Sequence, residues 1–309
     1  MSLDNLPEEI ILYILNYLEN TVDVINFCLS NKFYKNLVYK NKHIFRCIST
    51  FDKRYIDKID TINIIGKIKL KINTDLEYIN NLYTYIDELD LTRCINLNDL
   101  SVISKIKKLN LSHCNELSDV SMLRNCIELN LSYCYNIVDV STLNKVKKLN
   151  LSHCLELENV SMLGYVEELD LSHCYNVKDV SKLGKCKKLN LSFCNRISDV
   201  SALGSVEDLN LSSCINIRDV SALVNVKKLN LSWCDFIKNY KMLGNVSELN
   251  LSWCKCVKDV STLGNVNILI LTGCNRIHDV SALINVKELY ISFCDGIKDT
   301  SMLKNIINL

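Results

Sequence analysis

The sequence predicts an α/β protein: a small N-terminal helical bundle leading into a solenoid, with a parallel β-sheet on its concave face and turns or short 3-10 segments on its convex face. Two observations carry this. A twenty-residue phrase returns eleven times in register between Glu88 and Met302, whereas the first fifty residues carry apolar side chains at helical spacing. Self-similarity at such a period marks a stack of coils in which each unit covers the next.

Composition sets the class. The 309 residues have room for two domains, read as a helical unit at 1–50 and a solenoid at 89–309, joined by a linker and a worn capping repeat at 51–88. Net charge is +1 on a mixed surface, so no nucleic-acid footprint is indicated. No stretch offers eighteen uninterrupted apolar residues, so no membrane partner is expected. Met1-Ser2-Leu3-Asp4 lacks the basic start and apolar run of a signal peptide, which places the chain inside a cell, in the cytoplasm or the nucleus.

In the N-terminal unit, Leu6-Pro7-Glu8-Glu9 opens a helix with Pro at an early position and two acids in the first turn. Ile10, Ile11, Ile14, Leu15 and Leu18 form its apolar stripe. Thr21 and Ser30 are caps for two further helices. So few helical residues bury too little to stand comfortably alone, so a partner surface is expected.

This stretch resembles an F-box, on Leu6-Pro7, Glu9, Ile10, Ile14 and Leu18, then Asp23-Val24-Ile25, Leu29, Phe33-Tyr34 and Leu37. It departs from that pattern in having Glu19-Asn20 where a proline is common, one residue inserted before Asp23, and Ile44-Phe45 in place of Leu-Trp. The resemblance implies docking on a Skp-family adaptor of a cullin-RING ubiquitin ligase through Leu6, Pro7, Ile10, Ile14, Leu18, Leu29 and Tyr34. The other reading is a helical cap over the open end of the solenoid.

Residues 51–67 are charged and irregular. A worn copy follows, in which Ile68, Leu70, Leu76, Ile79 and Leu82 stand 21 residues ahead of Leu89, Leu91, Leu97, Leu100 and Ile103. In the regular units Leu-x-Leu alternates as a strand with one buried face. The pattern Ile106-x-x-Leu109-x-Leu111-x-x-Cys114, with Leu117 one residue late, resembles the leucine-rich repeat. Twelve coils at about 4.8 Å give an arc of roughly 55 Å. Only the stretch Asp119 to Ile127 remains for the return, too little for a three-turn helix. Asp-Val-Ser therefore opens a tight turn, and Gly164, Gly184, Gly204, Gly244 and Gly264 are expected to lend it backbone freedom.

Stacking identical coils brings like positions together, and like charges would repel. The position before the first Leu avoids this: Glu88, Lys108, Glu128, Lys148, Glu168, Lys188, Asp208, Lys228 and Glu248 alternate in sign until Ile268. Asn110, Asn130, Asn150, Asn190, Asn210, Asn230 and Asn250 form a column, with Asp90 and Asp170, expected to hydrogen-bond along the stack. Of sixteen cysteines, eleven share one phase from Cys94 to Cys294, read as a buried structural column without disulfides. No metal or cofactor is expected: no cysteine pairing has zinc spacing, and His153 and His173 lack a third ligand.

Selective binding needs a column that varies. The position before the cysteine reads Arg93, His113, Tyr133, His153, His173, Phe193, Ser213, Trp233, Trp253, Gly273 and Phe293. Aromatic groups are favoured interface anchors, although neighbouring rings stacking on each other would explain the column too. Ile268 and Ile270 replace the usual charge and Asn, and Tyr290 enters the Asn column. The expected target-binding residues are Tyr133, His173, Phe193, Trp233, Trp253, Ile268, Ile270, Tyr290 and Phe293, with an apolar patch at the C-terminal half of the concave face. No phosphate loop, nucleophile elbow or carboxylate pair stands out, so no catalysis is expected. The chain stops at Leu309, where another strand would start, leaving a last coil either open to association or covered.

Overall fold

A computed structural model describes residues 68–71, 86–95, 97 and 99–303. Twelve parallel strands form one sheet in chain order, beginning with β1 (Ile68–Lys71), β2 (Ile86–Asp90) and β3 (Lys108–Asn110). Three-residue strands then recur at twenty-residue intervals, among them β8 (Asp208–Asn210), β11 (Ile268–Ile270) and β12 (Glu288–Tyr290). Leu109 stands beside Leu129 and Leu129 beside Leu149, so each column of the sequence is a line through the stack.

The first strand pairs differently from the sequence expectation. Leu70 stands beside Leu89 and Lys71 beside Asp90, where Ile68 was set against Leu89 and Leu70 against Leu91. A two-residue slip leaves every side chain on its own face, so alternation alone does not separate the two registers. The expected helices with Leu6, Pro7, Ile10, Ile14, Leu18, Leu29 and Tyr34 lie outside the described residues, as do Leu76, Ile79 and Leu82 of the worn copy.

One coil shows how twenty residues close. Leu129, Leu131, Cys134, Ile137, Val140, Leu143 and Val146 all point inward and are buried. After the two-residue step of the strand, every inward residue stands three positions past the last, which is the period of 3-10 geometry. The backbone follows: Cys134 N–H donates to Leu131 O, Ile137 to Cys134, Leu143 to Val140 and Val146 to Leu143. The same three-residue spacing therefore serves the apolar core and the turn hydrogen bonds, and the convex side is short 3-10 helices such as Ser121–Leu123, Ser141–Leu143 and Ser201–Leu203. Asp119 begins one of them by accepting the Ser121 amide at 2.8 Å, and that hydrogen bond holds its carboxyl below the ordinary range.

The glycines of this turn are not there for a left-handed backbone. Gly204 has φ −63, and Gly273 is the one glycine with positive φ among the described residues. A β-carbon on Gly184 or Gly204 would instead be forced onto the carbonyl oxygen of Ala202 or Ala222 in the next coil. Close approach of successive coils, rather than torsional freedom, selects glycine there.

The cysteine column is structural, as expected. From Cys114 to Cys294 each thiol donates to the carbonyl of the leucine 23 residues earlier, at 3.1 Å from Cys134 to Leu111 and from Cys254 to Leu231. Burial pushes the thiols up, to about 12 for Cys134 and Cys194. The described cysteines are free of disulfides.

Candidate functional site

The concave face is built from two outward positions per strand. At the first, the alternating column forms ion pairs between coils: Lys108 with Glu128 at 2.8 Å, Lys148 with Glu168 at 3.3 Å, and Lys228 with Glu248 at 2.7 Å. A second alternating column, missed in the sequence, runs one residue earlier, with Lys187 and Glu167 at 2.9 Å and Lys227 and Glu207 at 3.2 Å. Successive coils thus carry doubled charges, Lys147-Lys148, Glu167-Glu168, Lys187-Lys188, Glu207-Asp208 and Lys227-Lys228. These exposed pairs are individually weak and fix register together. The first of these columns, from Glu88 to Asp208, lines a shallow groove with the Asn column from β2 to β8.

The Asn column works differently from the expected ladder. Each Oδ1 accepts an amide of its own coil two residues on, Asn130 from Ser132 at 3.0 Å and Asn250 from Ser252 at 2.9 Å. The column therefore closes each strand with a local turn that competes with further extension. Links between coils are fewer, Asn190 to Asp170 at 3.1 Å being one. Ile270 and Tyr290 have no oxygen to play this part at the same place. They and Ile268 are half-buried on β11 and β12, with Ile270 registered between Asn250 and Tyr290.

Three residues beyond this column lies the variable one, and its backbone is left-handed throughout. His113, Tyr133, His153 and His173 have φ of 60–61, Phe193 63, Trp233 64 and Trp253 61. Bulky L-residues reach this region only at a cost of about 1–2 kcal/mol each. The amide of each is tied to the next coil, as His113 to Ser132 O at 2.8 Å. The side chains stack: His113 on Tyr133 at 4.4 Å, Tyr133 on His153 at 4.1 Å, His153 on His173 at 4.1 Å and His173 on Phe193 at 4.3 Å. A second stack runs from Trp233 to Trp253 at 5.2 Å and on to Phe293 at 6.2 Å.

Of the expected target-binding residues, the structure joins Tyr133, His173 and Phe193 in the first stack and Trp233, Trp253 and Phe293 in the second. Ile268, Ile270 and Tyr290 occupy the sheet itself, three or more residues earlier along their coils, as a separate row. Exposure concentrates at three of the four stack ends: Phe193 is 41% exposed, Trp233 50% and Phe293 71%, while His113 and the residues between are half-buried. His173 also meets the Tyr175 hydroxyl through Nδ1 at 3.0 Å. Burial between its neighbours lowers the basicity of His153. Parallel stacked imidazoles do not converge their nitrogens on one point, and no group of three metal-binding side chains occurs among the described residues.

One irregular coil was missed in the sequence. Where most coils read Asp-Val-Ser and all others end in Ser, this one reads Asn239-Tyr240-Lys241, with Asn239 left-handed at φ 60. Tyr240 is buried in the Val column, and its hydroxyl accepts the Lys258 and Asp259 amides, each at 3.2 Å. Lys241 pairs with Asp259 and depresses that carboxyl. The signal available was the break in the printed column.

No family model and no curated protein matches the chain. Solved structures do. An internalin from Listeria monocytogenes superimposes with a TM-score of 0.61 at 19% identity, over 79% of this chain and 79% of its own. A leucine-rich-repeat protein from Leptospira interrogans gives 0.55 at 20% identity, over 84% and 81%. The fold is that of a leucine-rich-repeat solenoid. The functional domain of InlJ from Listeria monocytogenes, described as including a cysteine ladder, gives 0.54 at 22% identity over 74% of this chain and 53% of its own. The thiol column from Cys114 to Cys294 is likewise a ladder. Identities of this size carry the fold and not the activity.

Proposed function

We propose that this chain is a non-catalytic protein-binding solenoid whose target face is the aromatic column together with Ile268, Ile270 and Tyr290, and whose residues 6–46 dock on a Skp-family adaptor. In that reading it is the substrate-recognition subunit of a cullin-RING ubiquitin ligase, and it raises local concentration and sets orientation. The observation that carries the target face is the abandonment of the Asn turn at Ile270 and Tyr290. Two adjoining coils give up a local hydrogen bond that Asn or Asp makes in nine preceding coils, and present apolar surface in its place. Apolar surface kept at the expense of local satisfaction marks a partner site.

The adaptor half rests on the sequence alone, on Leu6-Pro7, Ile10, Ile14, Leu18, Leu29 and Tyr34. The second reading is a stand-alone scaffold whose first fifty residues cap the stack. Co-purification with a Skp-type adaptor, lost on Leu6→Asp with Ile14→Asp, supports the ligase reading. A folded chain that binds no adaptor supports the scaffold.

A further inference from the structure

The two aromatic stacks are separated by one coil, and the two small residues of the column behave in opposite ways. At Gly273 the Trp253 indole leans across the vacant position, and Phe293 follows at 6.2 Å, so that gap is closed. At Ser213 neither neighbour leans across. Phe193 stays on His173 at 4.3 Å and Trp233 stays near Trp253 at 5.2 Å, and among the described residues no ring contact joins Phe193 to Trp233. Two coil spacings separate these rings, about 9 to 10 Å, twice the distance at which flat groups stack in this column. Solvent reaches into the space. Phe193 and Trp233 are 41% and 50% exposed, and Ser212 is only half-buried although Ser192 and Ser232 are 7% and 8% exposed.

We propose that the space over Ser213 is a binding slot for one planar aromatic group, which inserts between Phe193 and Trp233 and makes the two stacks continuous. The slot has two aromatic walls, so a flat ring such as an indole or a phenol fits it better than a branched aliphatic group. The source that fits the solenoid is an aromatic side chain of a partner protein. This rests on the reading of the aromatic column as a partner face, and adds the chemistry of what the partner presents.

The test uses the full chain and small probes, so its outcome does not depend on the target or on the adaptor. Saturation-transfer NMR is run with N-acetyl-tryptophanamide, with indole alone, and with N-acetyl-leucinamide. Ring protons of the first two are expected to receive transfer and to shift upfield, and the leucine probe is not. Ser213→Tyr places in the slot the residue that Tyr133 already carries at the same left-handed position, so folding is retained, and binding is expected to fall by about tenfold or more. Ser213→Ala retains it. Tighter binding of the amide than of indole identifies a peptide as the source, and equal binding a free heterocycle. Transfer that is absent in the wild type, or unchanged by Ser213→Tyr, overturns the slot. The proposed target face is tested separately at Ile270, on the sheet and three residues before the aromatic column.

Discussion

Trp253 lies across Gly273 so closely that a β-carbon on the glycine would stand 2.5 Å from the indole. The glycine's φ of +75 adds a second reason for the absence of a side chain. Together they let one ring span two coils and meet Phe293.

Gly273→Ala is therefore expected to displace the indole and to cost about 1–2 kcal/mol, through strain at positive φ and loss of the ring contact. Tryptophan emission shifts to the red and the urea midpoint falls. Ser213→Ala, at a φ of 60 with no ring above it, leaves both unchanged. Equal behaviour of the two variants would show that the indole is held elsewhere.

Ile270→Asn restores an acceptor for the Thr272 amide and is expected to raise stability by about 0.5–1 kcal/mol, as turn-closing side chains do. A native sequence that forgoes this stability keeps the isoleucine for another reason. Chemical denaturation followed by circular dichroism decides it, and a loss of stability would mean that Ile270 serves packing.

Glu168 lies between Lys148 at 3.3 Å and Lys188 at 3.9 Å. Glu168→Lys sets three like charges in line and is expected to destabilise by roughly 1 kcal/mol at low salt. The penalty shrinks as ionic strength rises. A penalty independent of salt would point to packing of the stems.

The thiols make the protein sensitive to base. Their native values are raised from an ordinary 9.0, to about 12 at Cys134, Cys154 and Cys194. Above pH 9 the unfolded chain loses these protons while the native chain keeps them, so stability present below that pH is lost as it rises toward 12. Each buried thiol subtracts up to about 1.4 kcal/mol per pH unit there. Melting temperature measured from pH 8 to 11 is expected to fall steeply above about 9. A flat profile would mean that the column is accessible to water in the native state.

The stack and its columns were legible because a strict period turns sequence position into spatial position. Alternating charges, inward cysteines and the Asp-x-Ser turns, as in Asp139 accepting Ser141 N–H at 2.8 Å, follow from that alone. The left-handed backbone under His113 to Phe293 was not legible. His, Tyr and Trp do not advertise positive φ as glycine does, and from His113 to Gly273 the conformation goes with an amide hydrogen bond to the next coil. The closed gap at Gly273 and the open one at Ser213 look alike in a printed row, although the indole over Gly273 lies where a β-carbon would stand. The register of β1 escaped for the reason that alternation repeats every two residues.

The most direct test of the account is protein capture by the full chain compared with a Trp253→Ala, Ile270→Asn double variant of the same circular dichroism. Proteins retained by the native chain are expected to be lost from the variant, because the columns that depart from the repeat choose the partner. Retention of the same proteins in the same amounts would contradict it.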